Sequence, residues 1–271
     1  MGAYEHIEVE RSGRTATIWL NRPKKLNAMS ADMWTDIPRA MSEIEADDSI
    51  RVVVLAGRGD AFTVGIDVEM LASFAPDGSS SPAQSNRQMY DTIKRMQRTA
   101  SVFAESRKPV IAAVHGYCLG AGMDLITACD IRLCASGSVF SIRETRMSLV
   151  ADIGTLQRLP GIVGAGHVAE LAFTGKDIDA DRAAEIGLVN HVLPDFGDLM
   201  KATDELANEI AANSPLAVGG VKNVLAANSG RSVEDALDYV AQWNAAYLMS
   251  SDLHEAISAF MEKRTPEFKG E

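Results

Sequence analysis

Cysteines and long apolar runs are scarce in this sequence of 271 residues. The three cysteines, Cys118, Cys129 and Cys134, are odd in number and include no Cys-x-x-Cys pair, so disulfides are not expected and a reducing cytoplasm fits. No apolar run reaches the roughly 18 residues of a membrane-spanning helix. The N-terminal MGAYEHIEVE has the pattern of neither a signal peptide nor a transit peptide. We therefore predict a cytoplasmic protein without a membrane span.

Positive charge is also limited, with 26 Lys and Arg residues against 37 Asp and Glu residues and a net charge of -11. A general role in binding nucleic acid or a membrane surface is therefore not expected. The five histidines show no metal-ligand spacing, so no metal site is predicted. The length suffices for one large α/β domain, with or without a helical appendage.

Short apolar runs alternate with helical patterns along the first part of the chain. Four of these runs are predicted strands: 15–20, 51–56, 110–114 and 131–134. One predicted helix carries an apolar stripe, which is formed by Met33, Ile37, Met41 and Ile44. Ser30 is the candidate cap of that helix. This alternation indicates an α/β fold with largely parallel strands.

Two other segments define the predicted organisation. The polar segment 75–87 is rich in Ser, Pro and Gly, and we interpret it as a mobile loop and not as a domain linker. After Pro194 only helical patterns remain. They cover four ranges: 198–212, 215–228, 232–249 and 252–263. We predict an α/β core over residues 1–195 and a helical region over residues 196–271.

Two glycine-containing turns are candidate binding sites for an anion or an oxyanion. GRGDAFTVGIDVEML (57–71) passes from a strand into a helix, where backbone N–H groups can be free, although most such turns are purely structural. In VHGYCLGAGMDL (114–125), Gly120 and Gly122 allow a close approach to the backbone. The pattern is not the dinucleotide fingerprint. Asp124 follows in the first turn of the helix, where it could serve the helix dipole or a catalytic function.

A third segment, FSIRETRMSLVADIGTLQRLPG (140–161), places two carboxylates among mostly apolar neighbours. Asp152 could be a catalytic group, or it could cap a helix that begins near Thr155. Glu144 could be catalytic, or it could pair with Arg143 or Arg146. The residues alone leave these alternatives open.

Taken together and in this order, the three segments resemble the crotonase (enoyl-CoA hydratase/isomerase) family. FTVGID (62–67) is similar to the first oxyanion-hole loop of that family, and HGYCLGAGMDLITACDIR (115–132) is similar to the second loop and its helix. The likeness extends from LNRPKKLNAM (20–29) to FMEKRTPEF (260–268). It implies a crotonase-like spiral of ββα turns and C-terminal helices that build a trimer or a dimer of trimers.

Within the family, MDLITACDIRLC, VADIGTLQRLP and SVEDALDYVAQWN resemble the dienoyl-CoA isomerase branch. Hydratases of the family carry two glutamates where this chain has Asp124 and Glu144, and a glycine where it has Asp152. Dienoyl-CoA isomerases carry Asp, Glu and Asp, which is the triplet found here with separations of 20 and 8 residues. The resemblance therefore implies isomerisation of a 3,5-dienoyl-CoA to the 2,4-dienoyl-CoA in fatty acid β-oxidation.

The resemblance also implies roles for individual residues. Glu144 would act at C2 of the acyl chain and Asp152 at C6, while Asp124 would support Glu144. The backbone N–H groups of Val64 and Ala121 would bind the thioester oxygen. Four cations are candidates for binding coenzyme A: Arg22, Lys24, Lys25 and, from a neighbouring subunit, Lys263. Coenzyme A is part of the substrate, and no other cofactor is implied.

Two alternatives to an isomerase stay open at this point. An enoyl-CoA hydratase, or another acyl-CoA enzyme of the family, could use Asp124 and Glu144 to hold a water molecule, but Asp152 would then have no role. A non-catalytic scaffold with the same fold is disfavoured by the retained carboxylate triplet. Val64 is bulkier than the Ala or Ser usual at its position, which could limit the choice of substrate.

Overall fold

The computed structural model describes residues 4–74 and 81–271, and its larger sheet has six strands. In spatial order these are β1 (Ile7–Ser12), β2 (Thr15–Leu20), β3 (Val52–Gly57), β4 (Val110–Val114), β6 (Ile131–Ala135) and β9 (His191–Leu193). Only β1 and β2 pair antiparallel, and the other neighbours are parallel. The four predicted strands are confirmed, with shifts of one residue at most at their ends. The strands β1 and β9 were not predicted.

A smaller sheet is formed by β5 (Tyr117–Leu119), β7 (Val139–Ser141) and β8 (Ile178–Asp179). The strands β5 and β7 are parallel, and β8 runs antiparallel to β7. These strands contain two or three residues each. Runs this short give too little apolar alternation to be recognised in a sequence, and none of them was predicted.

Both faces of the larger sheet are covered, as is usual for parallel strands. Along β3, Val53 and Leu55 belong to one apolar cluster, whereas Val52 and Val54 belong to another. Successive side chains of a strand point to opposite faces, so one strand contributes to both cores. Every residue of β3 is buried. Both faces of the sheet must therefore be covered by other parts of the chain.

Seven α-helices lie among the described residues before position 196. They are α1 (Met33–Glu45), α2 (Val68–Ala72), α3 (Pro82–Glu105), α4 (Ala121–Thr127), α5 (Thr155–Arg158), α6 (Ala165–Thr174) and α7 (Ala180–Glu185). The predicted stripe of α1 is confirmed, since all four of its residues are buried. The predicted cap at Ser30 is wrong, because the residue before the helix is Asp32 and the Ser30 hydroxyl lies 3.1 Å from Nδ1 of His6.

The segment predicted as a mobile loop over 75–87 is helical in its second half. Residues 75–80 lie outside the described residues. From Pro82 onward the chain belongs to α3, which begins with a capping box in which Ser81 and Gln84 bond to each other's backbone. The prediction was wrong there because Ser, Pro and Gln in this order are a helix start, while their composition alone is typical of a loop.

Four further helices follow: α8 (Phe196–Ala211), α9 (Pro215–Ala227), α10 (Val233–Tyr247) and α11 (Ser251–Glu262). The predicted helical ranges are confirmed to within a few residues. The helix α8 packs on the larger sheet through Leu199, Ala207 and Ala211. The division of the chain at residues 195 and 196 stays a prediction. In the described part of the chain, no helix is long and apolar enough to cross a membrane.

Candidate active site

The two glycine-containing turns contact each other at the ends of β3 and β5. The Thr63 N–H donates to the Tyr117 carbonyl (2.8 Å), and the Leu119 N–H donates to the Thr63 carbonyl (3.1 Å). Gly65 has a φ of +95°, and a Cβ built on it would lie 2.9 Å from the Leu119 oxygen. Only glycine fits there, so Gly65 brings the first turn against the second.

Most backbone N–H groups of the first turn are already hydrogen-bonded. Val64 donates to the Leu26 carbonyl (3.1 Å), Gly65 to Oγ1 of Thr63 (3.1 Å) and Asp67 to the Met29 carbonyl (3.1 Å). The prediction that Val64 supplies a free N–H is therefore wrong. Its amide stabilises the turn by binding a segment nearly 40 residues earlier in the chain, which sequence motifs do not reveal.

Within the segment 62–67, Ile66 is the residue whose N–H has no acceptor among the described residues. It forms a parallel bridge with Met29, in which the flanking residues 65 and 67 make the hydrogen bonds. In such a bridge the N–H of the central residue points away from the partner strand. Ile66 lines the cavity described below. Sequence reasoning missed this donor by two positions.

Ala121 begins α4, directly after Gly120, whose φ is +51°. The first N–H groups of a helix have no acceptor within the helix, so the Ala121 N–H is available where it was predicted. A Cβ on Gly120 would lie 3.5 Å from Oε1 of Glu144. The second turn therefore brings a free amide and a carboxylate into the same space.

A cavity of about 500 Å³ lies between the two turns and α3. Its polar groups are few, and they include Arg143, Glu144 and Asp152. Its apolar lining comes from Ile66, Val68, Leu71, Phe74, Met89, Ile93, Met96, Met147, Leu149, Val150 and Ile153. The volume and the mostly apolar lining are typical of a small-molecule site with a few orienting polar groups.

Glu144 has no ion-pair partner in the described structure. Arg143 instead makes two hydrogen bonds to Asp177 (2.7 and 2.8 Å), and Nε of Arg146 contacts the Thr174 carbonyl. The structural interpretation of Glu144 as a partner of these arginines is therefore wrong. One oxygen of Glu144, Oε2, is buried without a hydrogen-bond partner among the described residues. Burial and, secondarily, the charge of Asp152 raise the pKa of Glu144.

Asp124 lies on α4 and is 1% exposed. Its Oδ1 accepts hydrogen bonds from the backbone N–H and from the hydroxyl of Thr155, both 2.7 Å long. Its Oδ2 is buried without a partner among the described residues. Burial raises the pKa of Asp124 to about 7, helped by the charges of Glu144 and Asp152 and opposed by the two bonds from Thr155.

Asp152 lies at the rim of the cavity and is exposed. It does not cap α5, since the residue before that helix is Gly154 and the first N–H of the helix is bound by Asp124. The Asp152 carbonyl accepts a hydrogen bond from Nε2 of Gln97 on α3 (2.7 Å). The cavity partly shields the Asp152 carboxyl from water, and this raises its pKa. One ionised and one protonated carboxyl can therefore coexist in this space.

The predicted cations lie in different surroundings. Arg22 is paired with Asp67 and also donates to the Ala28 carbonyl, while Lys25 pairs with Glu69 at 3.1 Å. Lys24 is exposed, and Lys263 ends α11 with a left-handed backbone. No contact among the described residues brings Lys263 to the cavity.

A second cavity of about 560 Å³ adjoins the first. Lys25 lines it, and Val64, Ile66, Val68 and Arg143 line both cavities. Arg143 was not predicted as a site residue, although its position next to Glu144 in the sequence could have suggested it. A cation at the shared border is suited to contact a polar group that extends from one cavity into the other.

A family model described as enoyl-CoA hydratase/isomerase matches residues 10–271. The peroxisomal Delta(3,5)-Delta(2,4)-dienoyl-CoA isomerase of Arabidopsis thaliana is 43% identical, covering 99% of this chain and 98% of its own length. The mitochondrial enzyme of the same name from Dictyostelium discoideum is also 43% identical, over 98% of this chain and 92% of its own length. Among solved structures, an enoyl-CoA hydratase from Bacillus anthracis gives a TM-score of 0.90 at 30% identity, covering 98% and 100% of the two chains.

These relatives confirm the predicted fold class and correct the predicted location. The structural agreement extends over nearly the whole chain, including the C-terminal helices. The predicted cytoplasmic location is contradicted, because the named isomerases are peroxisomal or mitochondrial. Three buried, free cysteines exclude a disulfide framework, but reduced thiols do not distinguish one compartment from another.

Proposed function

The chain belongs to the enoyl-CoA hydratase/isomerase family, and we propose that it converts a 3,5-dienoyl-CoA into the 2,4-dienoyl-CoA during fatty acid β-oxidation. One observation carries this proposal. Glu144 and Asp152 line one apolar cavity, and Asp124 is close enough for their charges to act on its carboxyl. The relatives that share the name dienoyl-CoA isomerase are more similar in sequence than the hydratase whose fold is shared.

The reaction begins with loss of a proton from C2 of the acyl chain. Ionised Glu144 accepts this proton, and the electron pair moves into the conjugated system to give a dienolate with its negative charge on the thioester oxygen. The N–H groups of Ile66 and Ala121 stabilise that oxygen. Losing one such donor typically lowers the rate by about 100-fold to 1,000-fold.

The second proton transfer takes place at C6, four bonds from C2. One carboxyl group is poorly placed to reach both carbons, so protonated Asp152 at the rim delivers the proton to C6. The double bonds then lie at C2 and C4, Glu144 is protonated and Asp152 is ionised. Proton exchange with solvent restores the starting state. Asp124 supports Glu144 and does not itself exchange a proton with the substrate.

Coenzyme A extends from the first cavity into the second. Arg143 and Lys25 line the second cavity, where they are suited to contact the polar arm and the phosphates; Lys24 precedes Lys25 in the chain and is exposed. Arg22 is occupied by Asp67, so its role is to support the first turn. Lys263 reaches the nucleotide only from a neighbouring subunit.

We propose a homo-oligomer, either a trimer or a dimer of trimers, that is built through the C-terminal helices. Large apolar side chains are exposed on α10, on α11 and in the turn between them, among them Leu237 (62%), Met249 (77%) and Phe260 (83%). Exposed apolar side chains in such number are typical of an association site.

An enoyl-CoA hydratase is the second candidate, and one observation favours it. Oδ2 of Asp124 and Oε2 of Glu144 are both buried without partners among the described residues, so together they could hold a water molecule. A hydratase completes its reaction at C2 and C3, however, and leaves Asp152 without a function.

The two candidates differ in the substrate and in the effect of Asp152→Asn. We expect fast conversion of a 3,5-dienoyl-CoA, followed by ultraviolet absorbance, and slow or no hydration of a short 2-enoyl-CoA. Asp152→Asn should lower isomerase turnover by roughly 100-fold or more, because an amide cannot deliver the proton. Asp198→Asn, an exposed site on α8, is the matched control and should behave as the parent. Efficient hydration that is insensitive to Asp152→Asn would refute the isomerase assignment.

A further inference from the structure

Thr155 is fully buried at the first position of α5 and contacts Asp124 with two groups. Its N–H and its hydroxyl both donate to the same oxygen, Oδ1, at 2.7 Å. The other oxygen, Oδ2, has no partner among the described residues. A carboxylate held in this way has a fixed orientation, with one oxygen hydrogen-bonded and the other buried without a partner among the described residues.

We propose that Thr155 is a positioning residue that fixes the orientation and the charge of Asp124 through its hydroxyl group. The proposal rests on the proposed function, in which Asp124 supports Glu144. It assigns to Thr155 a role that its backbone N–H alone cannot fill, because that N–H supplies only one of the two hydrogen bonds.

The same contact joins two parts of the site that are separate in the sequence. Asp124 lies on α4, whereas Thr155 follows Asp152 by three residues. Between them, Gly154 has a φ of +139°, and a Cβ built on it would lie 1.8 Å from Nη1 of Arg158. This φ is one that residues with a side chain rarely adopt, so the path of the chain from Asp152 to Thr155 depends on a glycine at position 154. Anchoring Thr155 to Asp124 also anchors the segment that carries Asp152.

The charge of Asp124 depends on opposing influences. Burial and the neighbouring carboxylates Glu144 and Asp152 favour the neutral form, while both bonds from Thr155 favour the ionised form. Burial, helped by the charge of Asp124, raises the pKa of the Cys118 thiol, so this thiol stays neutral. Loss of the hydroxyl removes one of the two influences that favour ionisation. Asp124 would then become neutral at a higher pH than in the parent.

A neutral Asp124 has a consequence for the reaction. Two nearby carboxylates repel each other, so the charge of Asp124 makes proton uptake by Glu144 more favourable. With Asp124 neutral, Glu144 is a weaker base toward C2. Substrate binding depends on the apolar cavity and on the oxyanion donors, so it should change little.

The test compares Thr155→Val, which removes only the hydroxyl, with Thr155→Ser, which keeps it. Thr155→Ala is the second hydroxyl-free variant in case the valine does not fold. For each variant, the carboxylic-acid C=O band of Asp124 is titrated by infrared difference spectroscopy, with Asp124→Asn identifying the band. The kcat and KM values for a 3,5-dienoyl-CoA are measured across the same pH range.

We expect the Asp124 band to titrate at higher pH in the hydroxyl-free variants than in the parent and Thr155→Ser. We expect loss of the hydroxyl to raise the proton affinity of Asp124 about ten-fold, which corresponds to about 1.4 kcal/mol. The kcat of Thr155→Val should accordingly be about ten-fold below the parent at pH 6 and near it at pH 8.5, with KM within about two-fold. An unshifted band, or equal losses in Thr155→Val and Thr155→Ser, would overturn the proposal. If the band shifts in the hydroxyl-free variants but the parent does not isomerise dienoyl-CoA, the proposed function is refuted and the effect of Thr155 on Asp124 stands.

Discussion

The α/β part of the chain and the last two helices differ in how well a single chain covers them. Every residue of β3 and β4 is buried. By contrast, no residue of α10 is buried in the described structure, and in α11 only Asp252 and Ala259 are. The α/β part completes its core within one chain, whereas α10 and α11 expose apolar side chains that a soluble monomer rarely leaves open.

This difference indicates a division of tasks. The carboxylates, the two turns and the apolar cavity all belong to the α/β part, so substitutions there should change the chemistry without changing assembly. Substitutions on the exposed apolar face of α10 and α11 should change assembly first. The following predictions test whether the two regions are separable in this way.

The largest effect is expected in the α/β part, at Glu144. Glu144→Gln keeps the shape of the side chain but cannot accept the C2 proton, so turnover should fall by about 100-fold to 10,000-fold. Affinity for a substrate-like CoA thioester, measured by calorimetry, should stay within about two-fold of the parent. The exposed Glu209→Gln on α8 is the control. Retained turnover would remove Glu144 from the reaction, and a change in oligomer size would break the separation of the two regions.

A smaller effect is expected on the pH dependence of the free energy of unfolding, to which Asp124 contributes. The pKa of Asp124 is about 7 in the folded protein, against an ordinary value of 3.8 for an aspartate exposed to water. The native state therefore holds a proton that the unfolded chain releases. This proton on Asp124 makes its full contribution to the free energy of unfolding below about pH 4. The contribution is lost as the pH rises through about 7. The total is at most roughly 4 kcal/mol.

Asp124→Asn should remove most of this pH dependence. Urea unfolding of parent and variant between pH 4.5 and 8 measures it, with Asp198→Asn as the control that keeps the parental slope. A parent whose unfolding free energy rises over this interval, with no difference in slope from Asp124→Asn, would contradict the assigned pKa.

The smallest effect on the chemistry is expected on the C-terminal helices. Leu237→Asp combined with Phe260→Asp places charges on exposed apolar positions, so the fold of the single chain should change little. Burying those charges between subunits is unfavourable, and association should weaken by roughly 100-fold. Light scattering should show a trimer or hexamer for the parent and for the control Asn208→Asp, and smaller species for the double variant. A monomeric parent at micromolar concentration would refute the oligomer.

Much of the fold was predictable because it depends on local apolar patterns. The run VIAAV gave the bounds of β4 correctly, and the stripe of α1 is buried as predicted. Asp124, Glu144 and Asp152 were found through the family resemblance and not from the residues alone; Glu144 and Asp152 line one cavity, and Asp124 lies on the helix that follows the second turn. Local sequence is sufficient where the determining contacts lie within a few residues.

Features that depend on distant contacts were missed. The free amide of the first turn belongs to Ile66 and not to Val64, because residues 26 and 29 occupy the neighbouring N–H groups. The first N–H of α5, that of Thr155, is bound by Asp124, which lies 31 residues earlier, and not by Asp152. In both cases a hydrogen-bond partner far away in the sequence determines which polar group stays without a partner in the protein. A local sequence motif gives no information about that distant partner.

The missing acceptor for the Ile66 N–H in the first turn should affect the exchange of its amide proton with solvent. Amide protons held by hydrogen bonds exchange slowly until the structure opens locally. The amides of Gly65 and Asp67 are held in this way, whereas that of Ile66, between them, is not. In the empty protein, deuterium should therefore enter at Ile66 ahead of both neighbours, although all three belong to one rigid turn. In the proposed function a thioester oxygen is the missing acceptor, so substrate binding should slow deuterium exchange at Ile66 to the rate of its two neighbours.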